Sequence, residues 1–472
     1  MRPTEPRENT LGGLRTSGHI QRSVKAEIRH NLLGRLRSGE SRFPGIVGFD
    51  DTVLPHLERA LLAGHDLVLL GERGQGKTRL IRTLGGLLDE WTPVVAGCEI
   101  NDHPYAPVCV RCRRLAAEAG DDLPVAWLHR DDRYGEKLAT PDTSVGDLIG
   151  DVDPIKVAEG RTLGDPETVH FGLVPRTNRG IFSINELPDL AERIQVALLN
   201  VLEERDVQVR GYALRLPLDL LLVASANPED YTNRGRIITP LKDRFGAEIR
   251  THYPLELDTE LELIRQEADF ADVGGVQAEV PDHLVEVIAR FTRLVRESTA
   301  VDGRSGVSAR FALAGAETVA AGAVRRAALA GEERAVARVC DLAPVVPSLM
   351  GKVEFEVSEE GREQEVLEHL LRRAVAETYR RTLGPADLTG LLDKFDSGDI
   401  VESGELVPAA ELLRRIGQVP GLAKIMERLG MSGESPEQAA AALEFALEGL
   451  YLTRRLSKDV AGGGDGTATY HT

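Results

Sequence analysis

The segment that most restricts the fold is Gly71-Glu72-Arg73-Gly74-Gln75-Gly76-Lys77-Thr78. It follows the apolar run Val68-Leu69-Leu70 and precedes a helical pattern in Leu80, Leu84, Leu87 and Leu88. The spacing is G-x-x-x-x-G-K-[ST], in the strand–loop–helix setting that gives this motif its mechanics. Glycines let backbone N–H groups turn inward around phosphate oxygens, and the start of the helix adds partial positive charge. Lys77 is expected to reach the outer phosphates and the Thr78 hydroxyl to ligate Mg²⁺. All eight residues are therefore expected to cradle ATP-Mg²⁺.

A loop of this kind sits on a parallel sheet, and the residues from 43 to 257 alternate short apolar runs with helical stretches accordingly. Asp66–Leu70, Val94–Ala96, Ile181–Ile184 and Leu220–Ala224 are the strand candidates. The strand beginning at Ile181 ends in Asn185-Glu186, where a carboxylate can orient and deprotonate the water that attacks a γ-phosphate. Asn185 brings no charge; it can accept a hydrogen bond from a metal-bound water, so weakened Mg²⁺ handling and slow turnover are expected. Asn227, at the end of the next strand, can pin the same water. Arg244, in Lys242-Asp243-Arg244-Phe245, is a candidate arginine finger for a neighbouring subunit. Arg310, opening a helix after Ser308, is the candidate reporter of nucleotide state. Three of these have a plainer reading: a capped strand end for Asn185-Glu186, a turn for Asn227 and a surface ion pair for Arg244.

Beyond residue 257 the period becomes helical, as in Leu284, Ile288, Phe291 and Val295, which suggests a lid over 258–335. A mostly helical C-terminal domain is expected over 336–460, with a strand at Val353, Phe355 and Val357 and a long helix from Glu363 to Leu383. Ser435-Pro436-Glu437-Gln438 reads as a further helix start. The Gly-rich residues 461–472 suggest a disordered tail. Residues 1–42 form an arm with nine Lys/Arg and four Asp/Glu, about +5, in a chain whose 57 basic and 75 acidic residues give −18 overall. That acidic balance counts against a non-specific nucleic-acid grip. Within the arm Ile20, Val24, Ile28, Leu32 and Leu36 recur at four-residue intervals, a helix that either covers its own domain or docks a neighbour. No apolar run is long enough for a membrane span and no signal peptide is evident, so a cytoplasmic protein is expected.

With these residues in hand, the chain resembles the magnesium chelatase I subunit and the related MoxR-type AAA+ ATPases. The resemblance runs from about Phe43 to Ala330. It rests on Phe43-Pro44-Gly45-Ile46-Val47-Gly48, Phe171-Gly172-Leu173-Val174, Asn178-Arg179-Gly180-Ile181, Asn227-Pro228 and Asp243-Arg244-Phe245. It implies an α/β P-loop core with a helix-flanked parallel sheet, a helical lid and an added mostly α C-terminal domain. It also implies ATP hydrolysis coupled to remodelling of a partner, a ring of six subunits with Arg244 acting in trans, and an insert over 155–174. A hairpin over 207–216 and a partner carrying a von Willebrand factor A domain complete the pattern. Asn185 departs from the family's Asp, and the chain after Gly331 departs from the chelatase subunit. Other readings stay open: a true chelatase motor inserting Mg²⁺ into a porphyrin, a nucleic-acid-associated regulator, and a weakly hydrolysing nucleotide-binding scaffold. The Gly-Ala-Phe-Thr-Gly-Ala loop of sigma-factor activators is absent.

Three of the four cysteines, Cys98, Cys109 and Cys112, fall within fifteen residues of one another. A Cys-x-x-Cys pair with a distant Cys and His103 could complete a tetrahedral Zn²⁺ site over 97–113, its fourth ligand unsettled. Unrelated buried thiols are the alternative.

Overall fold

The computed structural model describes residues 4–153, 155, 158, 168–203, 207–209, 212–214, 216–228, 236–270, 275–303, 306–398, 400–431, 435–460 and 467–472. They form two compact units, Met1–His252 and Tyr253–Thr472. In the first unit the helices α1 (Leu11–Thr16), α2 (Val24–Ser38) and α3 (Val53–Ala63) precede strand β1 (Leu67–Leu70) and helix α4 (Lys77–Thr83). Then come β2 (Trp91–Val95), α5 (Val110–Ala119), β3 (Val125–His129), β4 (Tyr134–Leu138), β5 (Gly150–Val152), β6 (Val169–Phe171) and β7 (Ile181–Asn185). The short β8 (Val207–Val209) and β9 (Tyr212–Leu214), then β10 (Leu221–Ala226) and β11 (Ala247–Arg250), complete the strands.

The central sheet has the order β11-β1-β10-β7-β4 and is parallel throughout. Its inner strands are nearly continuous apolar runs, as strands covered on both faces require. Alternation assigns Leu67, Leu69, Ile181, Leu221 and Val223 to one face, with α2, α3 and α4. Val68, Leu70, Phe182, Ile184, Leu222 and Ala224 face the other side, with Ile194 and Leu198 of the helix Glu192–Glu203. The expected strand at 94–96 is found as part of β2, but outside this sheet. β2 pairs antiparallel with β3 in a separate ribbon, and the sheet's outer strand beside β7 is the weakly apolar Tyr-Gly-Glu-Lys-Leu of β4. The hairpin over 207–216 is present as the antiparallel pair β8–β9. Most of the insert expected over 155–174 lies outside the described residues.

The basic arm covers its own unit. Val24, Ile28 and Leu32 are buried against α3 and the sheet, whereas Ile20 is 68% exposed and Leu36 lies at the surface. α2 starts with the Ser23 side chain accepting the Ala26 N–H and stops at Gly39, which takes a left-handed conformation (φ 74°). A buried ion pair locks it down: Arg133 donates through Nη1 and Nη2 to the Glu27 carboxylate, at 2.7 Å each. Arg133 Nε also donates to the Arg179 carbonyl at 2.8 Å, and a Cβ on Gly180 would lie 1.9 Å from the Arg133 carbonyl oxygen. Asn178 holds the Asp219 N–H and the Ile100 carbonyl. Asn178-Arg179-Gly180 is therefore a framing element of the sheet edge.

In the second unit the residues expected as a lid and those expected as a further domain share one hydrophobic cluster, from Leu261 to Tyr470. The helices Asp282–Glu297, Glu363–Thr382 and Pro436–Leu452 carry much of it. Ser435 caps the last of these by accepting the Gln438 N–H. Two expectations fail here. Val353, Phe355 and Val357 form no strand: Phe355 makes one isolated bridge to Val301, and Val357 is 85% exposed in a 3₁₀ turn. Residues 468–471 of the expected disordered tail form a strand between Val401–Ser403 and Ser457–Val460, with Tyr470 buried. The aromatic anchor overrides the Gly-rich composition before it. Among the described residues no helix is long and apolar enough to cross a membrane.

Replacing Glu27 by Ala leaves the Arg133 guanidinium buried without its counter-charge, which costs roughly 3–5 kcal/mol. Urea unfolding of the Glu27→Ala chain should show that loss. The double change Glu27→Leu with Arg133→Met should recover most of it.

Candidate active site

Register decides which residues meet. β1 aligns Leu70 with Ala226 of β10, and β10 aligns Ala224 with Ile184 of β7. Gly71, Glu186 and Asn227 thus leave neighbouring strands at the same carboxyl edge, where open parallel sheets bind ligands. Gly76 (φ 75°) ends the loop as the N-cap of α4. Gly71 has no room for a side chain: a Cβ would lie 2.0 Å from Thr251 Oγ1 and 2.3 Å from Gln75 Oε1. Gln75 Oε1 in turn accepts the Glu72 N–H and the Thr251 hydroxyl, at 3.1 and 2.8 Å, which fixes the loop's entry.

Lys77 is buried, and its ammonium donates to the carbonyls of Gly71 and Glu72 and to Asn227 Oδ1, the last at 2.8 Å. The Asn227 amide passes the connection on, donating to Glu186 Oε2 at 2.7 Å. Glu186 itself sits in the left-handed region at φ 56°, unusual for a residue with a Cβ, and its N–H is held by Ser225 Oγ at 3.3 Å. Non-glycine residues in that region mark sites where the surroundings over-determine the backbone. Thr78 stands half-buried in the first turn of α4.

Asn185 is held on both sides. Its Oδ1 accepts the Ser225 hydroxyl at 3.3 Å, and its Nδ2 donates to Glu136 Oε1 at 2.8 Å. Glu136, on β4, also takes two hydrogen bonds from Arg82, at 2.9 Å each, and one from the Tyr134 hydroxyl at 3.0 Å. The Arg82 bonds, with those from Tyr134 and Asn185, hold its carboxyl below the usual range. An ionised carboxylate therefore lies beside position 185, where an aspartate would face a like charge. Sequence reasoning missed Glu136 because β4 carries too few apolar residues to read as a strand; Thr251 and Ser225 were hidden among ordinary strand-end residues.

Arg244 pairs with Glu203, at the end of the helix Glu192–Glu203, and is 46% exposed. Arg310 is exposed at the start of the helix Ala309–Ala330 in the second unit, its N–H held by Ser308 Oγ. The cysteine loop brings Cys98, Cys109 and Cys112 together, but His103 is not in that group: its Nδ1 accepts the Tyr105 N–H, and Asp102 takes the fourth place.

The chain is 32% identical over 218 residues to the magnesium-chelatase 38 kDa subunit of Acidiphilium rubrum, covering 43% of this chain and 56% of that one. It is 28% identical over 239 residues to magnesium-chelatase subunit ChlI of Nostoc sp., covering 48% and 59%. The chain has an AAA+ core resembling that of the magnesium-chelatase I subunits. It spans less than two thirds of the length of these relatives. A chain of the complex between subunits BchI and BchD of magnesium chelatase is similar at TM-score 0.36 and 23% identity, covering 69% of this chain and 98% of that one. No family model matches the chain.

In this AAA+ core, Asn185→Asp should destabilise the fold, by about 1–3 kcal/mol, because a carboxylate would replace the donor that Glu136 now accepts from. Thermal unfolding should show a deficit that shrinks as pH falls and the pair takes up a proton. Adding Glu136→Gln should remove most of it.

Proposed function

We propose that this chain binds ATP-Mg²⁺ at the loop from Gly71 to Thr78 and hydrolyses it in a ring of copies that remodels a partner protein. The hydrogen-bond chain from Lys77 through Asn227 to Glu186 carries the proposal, since it ties the phosphate-binding amine to a carboxylate able to act as base. The loop amides and Lys77 bind the phosphates; to reach them the ammonium exchanges an internal acceptor for phosphate oxygen. Asn227 orients Glu186, and Glu186 takes a proton from the attacking water. Mg²⁺, held by the Thr78 hydroxyl, would neutralise charge on the β- and γ-phosphates. Asn185 acts here as a neutral link to Glu136, whose carboxylate provides the charge that a family aspartate would have brought.

Arg244 is the group that acts across to the next copy, leaving Glu203 to do so, and Arg310 is the reporter in the second unit. Subunit names among the relatives favour a partner protein, and the resemblance favours one with a von Willebrand factor A domain, remodelled for metal or cofactor insertion.

Lys77→Ala should abolish ATP binding, measured by calorimetry. Glu186→Gln should keep binding and lower turnover about 100-fold or more. Parental turnover in the Glu186→Gln protein would sink the assignment of the base. For the ring, mixing Arg244→Ala with Glu186→Gln chains should restore activity neither has alone, and a strictly monomeric chain with ATP-Mg²⁺ in light scattering would rule it out.

A further inference from the structure

The ribbon β2–β3 and helix α5 form a small module between the phosphate-loop helix and β4. Among the described residues its buried apolar cluster is Leu11, Val95, Cys112 and Leu123, with Tyr105, Leu115, Ala116 and Ala119 partly buried against it. So small a core rarely supplies enough stability alone, and modules of this size are commonly held by a cross-link or a metal. At its centre, thiol sulfurs of Cys98, Cys109 and Cys112 and a carboxylate oxygen of Asp102 all lie within 4.8 Å of one another. Tetrahedral zinc–sulfur geometry sets neighbouring sulfurs about 3.8 Å apart, so modest contraction suffices.

Three details go beyond proximity. Asp102 is 1% exposed; its Oδ2 accepts the Val108 and Cys109 N–H groups, at 3.1 and 2.9 Å, while Oδ1 is buried with no hydrogen-bond partner. A buried carboxylate oxygen without a donor costs free energy unless a proton or a cation takes it up. Two sulfurs already receive backbone N–H groups: Asp102 N–H points to Cys98 Sγ at 3.3 Å and Cys112 N–H to Cys109 Sγ at 3.2 Å. Such donors stabilise thiolates and orient them as ligands. The Arg111 guanidinium lies 3.9 Å from Cys112 Sγ and also holds the Gly97 carbonyl, closing the turn that carries Cys98.

We propose that Cys98, Asp102, Cys109 and Cys112 form a closed, structural site for one Zn²⁺ ion. Three soft sulfur ligands select zinc over Mg²⁺ or Ca²⁺, and four protein ligands leave no open position for catalysis. The ion joins the turn after β2 to the start of α5. It thereby also secures the arm, whose Leu11 N–H binds the Leu123 carbonyl at 3.0 Å and whose Glu8 carbonyl accepts the Trp127 indole N–H at 2.7 Å.

The test uses the full chain purified without chelator and under reduction. Elemental analysis should find about one zinc per chain. Replacing that zinc by Co²⁺ should give the sulfur-to-cobalt charge-transfer band and the visible bands of a tetrahedral site. Asp102→Asn should weaken zinc binding at least about 10-fold in competition with a chromophoric chelator. His103→Ala should leave the zinc content unchanged. Because Cys→Ser variants can fail to fold, thiol titration of the wild-type protein supplies the second measurement: mercurial modification should release zinc in step with loss of the three thiols. Reduced, folded wild-type protein with neither bound zinc nor a Co²⁺ spectrum on reconstitution would overturn the site. Zinc lost in His103→Ala and kept in Asp102→Asn would overturn the ligand set.

Discussion

The Lys77 ammonium is the contact on which the candidate site depends. It is a buried charge, and a buried charge persists only where oxygens surround it. Among them are two backbone carbonyls of the phosphate loop and the Asn227 side chain. One cation thus closes the loop on itself and ties β1 to β10, while Asn227 carries the link on to Glu186.

Buried charge plays a wider part in this chain. Only 4% of its residues are aromatic, and buried ion pairs occupy positions where large apolar side chains often sit. Glu27 and Arg133 fasten the arm in the first unit. In the second, Arg338 meets Glu444, and Arg326 meets Glu332 and Asp341. Pairs of this kind are sensitive to loss of one partner and contribute less net stability than well-packed apolar groups. They do fix geometry, since each guanidinium here also binds a backbone carbonyl of another segment.

The Glu136–Asn185 pair shows how a local departure from a motif becomes intelligible only in three dimensions. Read along the chain, Asn185 is a missing carboxylate. In the sheet, a carboxylate stands beside it on the neighbouring strand, and the amide at 185 is the donor it accepts from. The two residues are 49 positions apart, and no periodicity links them.

The sequence alone determined the phosphate loop, the strands beginning near Leu67, Ile181 and Leu221, and the order of Lys77, Glu186 and Asn227. Loop chemistry and apolar runs are local, and short-range sterics and burial decide them. It also marked the buried face of α2 and the capped helix starting at Ser435. Tertiary structure decided the rest. Whether β2 joined the main sheet, whether residues 468–471 formed a strand, and whether His103 or Asp102 stood with the cysteines each turned on partners distant in sequence. Pairing, burial of one aromatic ring and the aim of one side chain depend on what the folded chain places opposite them, and no single stretch of sequence contains that information.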